Sequence, residues 1–230
     1  MFLPGRGGKR RTVLLLAAGA VLLVGIASLC YAMLGTAHVN GATPQARIQS
    51  IGGLADGGGR GAADAIARAV GDPDASVRAA AVAGLGRFLR PRDRDLIEGT
   101  TQDPDPDVRA KAAVVLGRYA DERAAERLAR VLSGDDSDAV RAGAARALGG
   151  CGGSSAIVPL VRAMERDVSP AVRSAAFLGL LAAVRLGYDK VPDPQDAAAW
   201  NRATAVVLEL PRVKSALAAA ASAGESRQEP

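Results

Sequence analysis

Residues 72–86 read DPDASVRAAAVAGLG and residues 103–117 read DPDPDVRAKAAVVLG, and these two stretches decide the fold. Val77, Val108, Val140 and Val172 are each followed by an arginine: Arg78, Arg109, Arg141 and Arg173. Six residues ahead of those arginines stand Asp72, Asp103, Asp135 and Asp167. The valines are spaced by 31, 32 and 32 residues. A fixed period in this range marks stacked supersecondary units, none of which buries its apolar face alone.

The local pattern says what the unit is. A leucine lies eight residues after each valine, at Leu85, Leu116, Leu148 and Leu180. Ala81 and Gly84, Ala112 and Val115, Ala144 and Ala147, and Ala176 and Gly179 fill the fourth and seventh positions. Spacing of i, i+4, i+7, i+8 is one buried face of an α-helix. Each aspartate opens a turn holding Pro, Ser or Asp, residues that cap helix N-termini and suit the positive end of the helix dipole. Shorter apolar-periodic stretches at 62–70, 93–101, 124–132 and 156–164 predict a first helix ahead of each turn. Glycine runs at 57–61 and 149–153 read as inter-repeat loops. No stretch alternates with period two, so the expectation is an all-α chain without a sheet.

Stepping the period back from Val77 reaches Ala46-Arg47, with Leu54 eight residues on, so an incomplete first unit begins near Gln45. Beyond Leu180 the pattern loosens. Asp196 and Arg202 repeat the six-residue gap, which predicts a divergent last unit ending near Leu210, with Trp200 sealing the open end. Residues 211–230 read as an Ala-rich terminal helix and a polar tail expected to be disordered.

On stretches 72–86 and 103–117 the chain resembles the HEAT repeat family, in the short form of bacterial HEAT-like proteins and of phycobilin lyase-type repeats. The resemblance covers roughly residues 45–182. It implies a right-handed α-solenoid of about five to six two-helix repeats over 45–210, with the second helices lining the concave side. It also implies a structural ladder in which each aspartate bonds arginines of its own and the neighbouring repeat. Asp72, Arg78, Asp103, Arg109, Asp135, Arg141, Asp167 and Arg173 would carry it. Such repeats usually offer a binding surface, and so a protein partner is expected.

The N-terminus carries a second signal. Residues 12–34 are uncharged for 23 positions, long enough as a helix to cross roughly 30 Å of hydrocarbon. Arg6, Lys9, Arg10 and Arg11 precede this stretch in a basic segment, 1–11, whereas 35–44 form a linker without Lys or Arg. The positive-inside rule then leaves the N-terminus cytoplasmic and the repeats extracytoplasmic. The same segment also reads as a cleaved signal sequence, with Gly35-Thr36-Ala37 as a small-x-small site. Both readings export the repeats.

Composition narrows the partner class. Net charge is +5, but without the four basic residues of 1–11 the chain has 25 Lys and Arg against 24 Asp and Glu. That balance, with 3% aromatics, argues against nucleic-acid binding. Cys30 and Cys151 cannot pair while one sits in a membrane, and His38 is the only histidine, so neither a structural disulfide nor a Cys/His zinc site is expected. The Asp-rich turns lack the glycine and terminal glutamate of a calcium loop. No phosphate loop, nucleophile turn or triad is present, and no catalytic, cofactor or metal residue is assigned.

What remains is the outward face of the second helices. Ala79, Ala83 and Arg87, then Ala110, Val114 and Arg118, then Ala142 and Arg146, then Ser174 and Leu178 line up there with Lys111. This shallow groove of small residues reads either as a plain solvated face or as a site for an acidic or extended peptide. Arg87, Lys111, Arg118 and Arg146 are its candidate contacts. The function expected is a membrane-anchored, non-catalytic scaffold. The alternative is an accessory enzyme or chaperone-like factor related to the phycobilin lyases.

Overall fold

The computed structural model describes residues 43–59, 61–185 and 192–225. Two compact units divide the chain, Met1–Ser50 and Ile51–Pro230. The expected membrane segment 12–34, the basic stretch 1–11, Cys30 and His38 all lie outside the described residues. Among the described residues no helix is long and apolar enough to cross a membrane. The described part of the first unit is the start of helix α1 (Pro44–Gly57), so the linker ends as a helix begins.

The second unit continues as two alternating series of helices. First helices are α2 (Ala62–Ala69), α4 (Arg94–Gly99), α6 (Glu122–Gly134) and α8 (Gly153–Arg166). Second helices are α3 (Ala75–Leu85), α5 (Pro106–Gly117), α7 (Asp138–Cys151) and α9 (Pro170–Ala183). Helices α10 (Ala197–Leu208) and α11 (Pro211–Glu225) close the chain. Among the described residues there is no strand.

The second helices stack in series, α3 on α5 on α7 on α9, while α2, α6 and α8 pack against α3, α7 and α9. Val77, Leu85, Val108, Leu116, Val140, Leu148, Val172 and Leu180 are all fully buried along this stack. Burying an aliphatic side chain of this size contributes about 1.5–3 kcal/mol. Helix α4 is the shortest, flanked by 3-10 turns at Pro91–Asp93 and Thr100–Gln102. Pro91 sets the first turn. At the other end the Thr100 and Thr101 hydroxyls donate to the carbonyls of Ile97 (2.7 Å) and Glu98 (2.8 Å), competing with the helical ladder.

Glycines set how closely the second helices approach. Gly86, Gly117 and Gly149 stand nine residues after their valines. A Cβ on each would meet Val115, Ala147 and Gly179 of the next second helix at 2.8, 2.8 and 2.5 Å. The run 149–153 is therefore no simple inter-repeat loop. Helix α7 continues through Gly149 to Cys151, and only Gly152 and Gly153, with φ of 67° and 75°, make the turn.

The C-terminal end departs from the repeat. Asp196 caps α10, accepting from the N–H groups of Ala198 (3.1 Å) and Ala199 (3.0 Å). It takes no part in a six-residue pairing with Arg202 of the repeat kind. Counted from the cap, Arg78, Arg109, Arg141 and Arg173 stand four residues after Asp74, Asp105, Ser137 and Ser169. Four residues after Asp196 stands Trp200, buried and 5.6 Å from the ring of Phe177. Helix α11 packs on α8, burying Val213 and Ala216, so it belongs to the end of the stack. It runs through Gly224 and Glu225, so the helix takes up most of the stretch 211–230.

Candidate interaction groove

The ladder lies along the turns that start the second helices. Arg78 Nε and Nη2 donate to Asp103 Oδ2 and Oδ1, both at 2.8 Å. Arg109 clasps Asp135 in the same way at 2.8 and 3.0 Å, and Arg141 clasps Asp167 at 2.8 and 3.0 Å. The remaining Nη1 of each turns back to its own repeat, to the carbonyls of Asp72 (3.0 Å), Asp103 (2.9 Å) and Asp135 (2.9 Å). This differs from the geometry that the family resemblance implies. A carboxylate here serves the arginine of the preceding repeat, and its own arginine takes only its main-chain carbonyl.

Each carboxylate does further work in the turn. Asp72, Asp103, Asp135 and Asp167 accept the N–H two residues on, all at 2.9 Å. The bond from Arg78 holds Asp103 below the usual carboxylate range, against its burial. Burial pushes Asp135 and Asp167 up, but the bonds from Arg109 and Arg141, together with the backbone N–H, leave both lowered. At the last rung Arg173 donates to the carbonyls of Asp167 (3.0 Å) and Pro194 (3.3 Å), so a main-chain oxygen ends the ladder.

A second ionic network, not singled out from the sequence, ties the first helices together. Arg94 grips Asp121 through two bonds of 2.5 and 2.6 Å, reaches Glu98 at 3.0 Å and lies 5.1 Å from the centre of the Tyr119 ring. Asp121 is thereby brought down to about 2. Arg123 joins Asp95 (2.5 Å) and Glu98 (2.9 Å). Cys151 ends α7 half-buried, and burial raises its thiol pKa, away from the reactive thiolate.

The outward face of α3, α5 and α7 forms a concavity of about 770 Å³. Ala79, Ala83, Ala110 and Val114 form its floor, and Lys111 and Arg146 reach it from α5 and α7. Val114 is 52% exposed, an uncommon state for a large aliphatic side chain at the middle of a groove. The other two candidate cations lie elsewhere: Arg87 is exposed and pairs with Asp56 at 3.0 Å, and Arg118 is exposed outside the groove lining. Ala142 is buried, and its neighbour Gly143 lines the groove instead. Asp105 and Asp107 also line it, which gives one end acidic character. The sequence carries that signal at the N-terminus of α5, but reading those residues only as caps hides their second exposure. Among the described residues no group of three or more His, Cys, Asp or Glu side chains is placed to hold a metal ion.

Residues 94–180 match the family model described as HEAT repeats, and so the resemblance stands over this segment. No curated protein sequence matches the chain. The chain is similar in fold to the complex of CpcE and CpcF of phycocyanin lyase from Nostoc sp. PCC7120, with TM-score 0.56 and 22% identity over 66% of this chain. It spans 65% of that relative's length. It is also similar to an engineered protein, with TM-score 0.52 and 16% identity over 79% of this chain and 96% of the other.

Proposed function

We propose that this protein is a membrane-anchored, non-catalytic interaction scaffold whose groove on α3, α5 and α7 receives an extended segment of a partner protein on the extracytoplasmic side. The observation that carries the binding role is the groove itself, a concavity of about 770 Å³ spanning three consecutive second helices. Its floor of alanines lets a main chain approach closely, exposed Val114 offers an apolar contact, and Lys111 and Arg146 offer charge for an acidic side chain. Membrane attachment and export rest on the uncharged stretch 12–34 and the basic residues ahead of it.

Two experiments test the proposal. A photo-crosslinking amino acid at position 114 should capture a discrete partner, and Lys111→Glu with Arg146→Glu should abolish that adduct while leaving the thermal midpoint unchanged. An adduct that persists in the double variant would remove the groove from the mechanism. A reporter active only outside the cytoplasm, fused after Pro230, should be active in a full-length membrane fraction. An inactive reporter would reverse the orientation.

The fold likeness to a phycocyanin lyase complex favours a second reading, an accessory factor in tetrapyrrole attachment. Bilin transfer by the purified chain, alone or with a second subunit, would replace the scaffold reading.

A further inference from the structure

A second concavity, of about 720 Å³, opens between α6 and α8, away from the groove. Its charged lining divides in two. Arg141 is committed to Asp167, and Asp135 is taken by Arg109, so the ladder neutralises itself there. Left over are Arg130, Arg162 and Arg166 against Asp136. All three arginines are exposed, and none makes a hydrogen bond or ion pair from its side chain to the described residues.

The repeat register makes this exceptional. One period of 32 residues earlier, the positions of Arg130, Arg162 and Arg166 are held by Glu98, Arg130 and Gly134. At that junction Glu98 accepts from Arg94 (3.0 Å) and Arg123 (2.9 Å), so a carboxylate with its own partners stands where the later junction has Arg130. At the α6–α8 junction a carboxylate has been replaced by a cation and a glycine by another. Three like charges around one cleft repel one another and raise the local positive potential. Planar guanidinium groups pair bidentately with carboxylates. The walls between them are apolar, with Ala129, Pro159 and Ala163, and Val168 stands 87% exposed at the edge.

We infer that this cleft binds an acidic, extended segment of a partner protein, its carboxylates on Arg130, Arg162 and Arg166 and an aliphatic side chain against Val168. The concavity, about 720 Å³, is larger than a lone phosphate needs. The site is separate from the groove on α3, α5 and α7, and neither assignment depends on the other.

The test is fluorescence anisotropy with the full-length chain and a fluorescein-labelled ten-residue peptide alternating glutamate and leucine. Saturable binding is expected, weakened at least about tenfold by combined Arg130→Gln, Arg162→Gln and Arg166→Gln. Lys111→Gln with Arg146→Gln removes any share the groove takes of the peptide, and in that background the triple substitution should still weaken binding at least about tenfold, which separates this site from the groove. Arg162→Gln alone should give an intermediate loss with an unaltered thermal midpoint, guarding against misfolding of the triple variant. Absence of binding, equal binding by the triple variant, or equal binding of a glutamine-for-glutamate peptide would overturn the inference. So would arginine-dependent binding of phosphatidylglycerol vesicles in place of the peptide.

Discussion

The junction between α3 and α5 and the junction between α7 and α9 solve the same packing problem with different materials. At the first, a Cβ on Gly86 would meet the Val115 Cγ2 methyl at 2.8 Å and the Ala83 carbonyl oxygen of its own helix at 3.1 Å. At the second, a Cβ on Gly149 would meet the Gly179 carbonyl oxygen at 2.5 Å and its Cα at 2.6 Å. The partner shrinks from Val115 through Ala147 to Gly179 along the stack, and the helices come to touch backbone on backbone. Capping runs the other way. Asp74 and Asp105 cap α3 and α5 with side-chain bonds, whereas Ser137 and Ser169 make none at α7 and α9. Both helices of the α3–α5 junction carry side-chain caps, and both helices of the α7–α9 junction do without.

The largest expected effect is at the tight junction. Gly149→Ala should cost about 3 kcal/mol, because no side chain can move aside to admit the methyl group. Gly86→Ala should cost less, about 1–2 kcal/mol, since the new methyl group meets first a side chain, the Val115 Cγ2 atom, and not the backbone of the next helix. Urea unfolding of both variants measures the difference; equal losses would erase the contrast. A sharper form adds Val115→Ala, which should rescue Gly86→Ala, while no truncation of a side chain should rescue Gly149→Ala.

Next comes the ladder, which runs through both junctions. Arg109→Ala strands the largely buried Asp135 carboxylate and should cost about 2 kcal/mol, between the values for exposed and buried pairs. Arg173→Ala, at the end rung, releases only carbonyl oxygens and should cost about 1 kcal/mol. Equal effects in thermal unfolding would mean that the carboxylates add nothing to the rungs.

Acid should reveal the same rungs. Asp103, Asp135 and Asp167 are lowered on folding, so their stabilisation is complete above the unfolded value near about 4 and declines as pH falls through the folded values. Asp121, at about 2, extends this window downward. Stability measured from pH 6 to pH 2 should fall mainly below pH 4, and less steeply in Arg109→Ala, whose Asp135 has lost its partner. An identical slope in both chains would contradict the coupling.

The smallest contrast is in the caps. Asp105→Ala should cost about 1 kcal/mol, and Ser137→Ala clearly less because its side chain makes no cap bond. If the serine proves equal to the aspartate, the cap bonds do not separate the two junctions.

Much of this was legible in the chain. The Val-Arg period and the i, i+4, i+7, i+8 stripe gave the second helices and their buried residues, because helix periodicity and burial are local properties written in spacing. The ladder residues were legible as a set, but not which carbonyl or carboxylate each arginine takes, since that depends on the offset between repeats. Asp196 and Arg202 kept the ladder's spacing without its role, and only the cap position shows that Trp200 occupies the arginine's place. Of the four candidate groove cations, Lys111 and Arg146 line the concavity, whereas Arg87 is drawn to Asp56. A helical wheel gives the direction of a side chain but not the neighbour that competes for it.

The sequence by itself determined the repeat, its length, the buried stripe of the second helices and the turns that start them, because each of these is decided within one unit of about thirty residues. The tertiary structure alone decided the backbone contact at Gly149 and Gly179, the end of the ladder on Pro194, and the gathering of Arg130, Arg162 and Arg166 around one cleft. Those depend on how one repeat is seated on the next, and residues a full period apart meet only when the stack is formed.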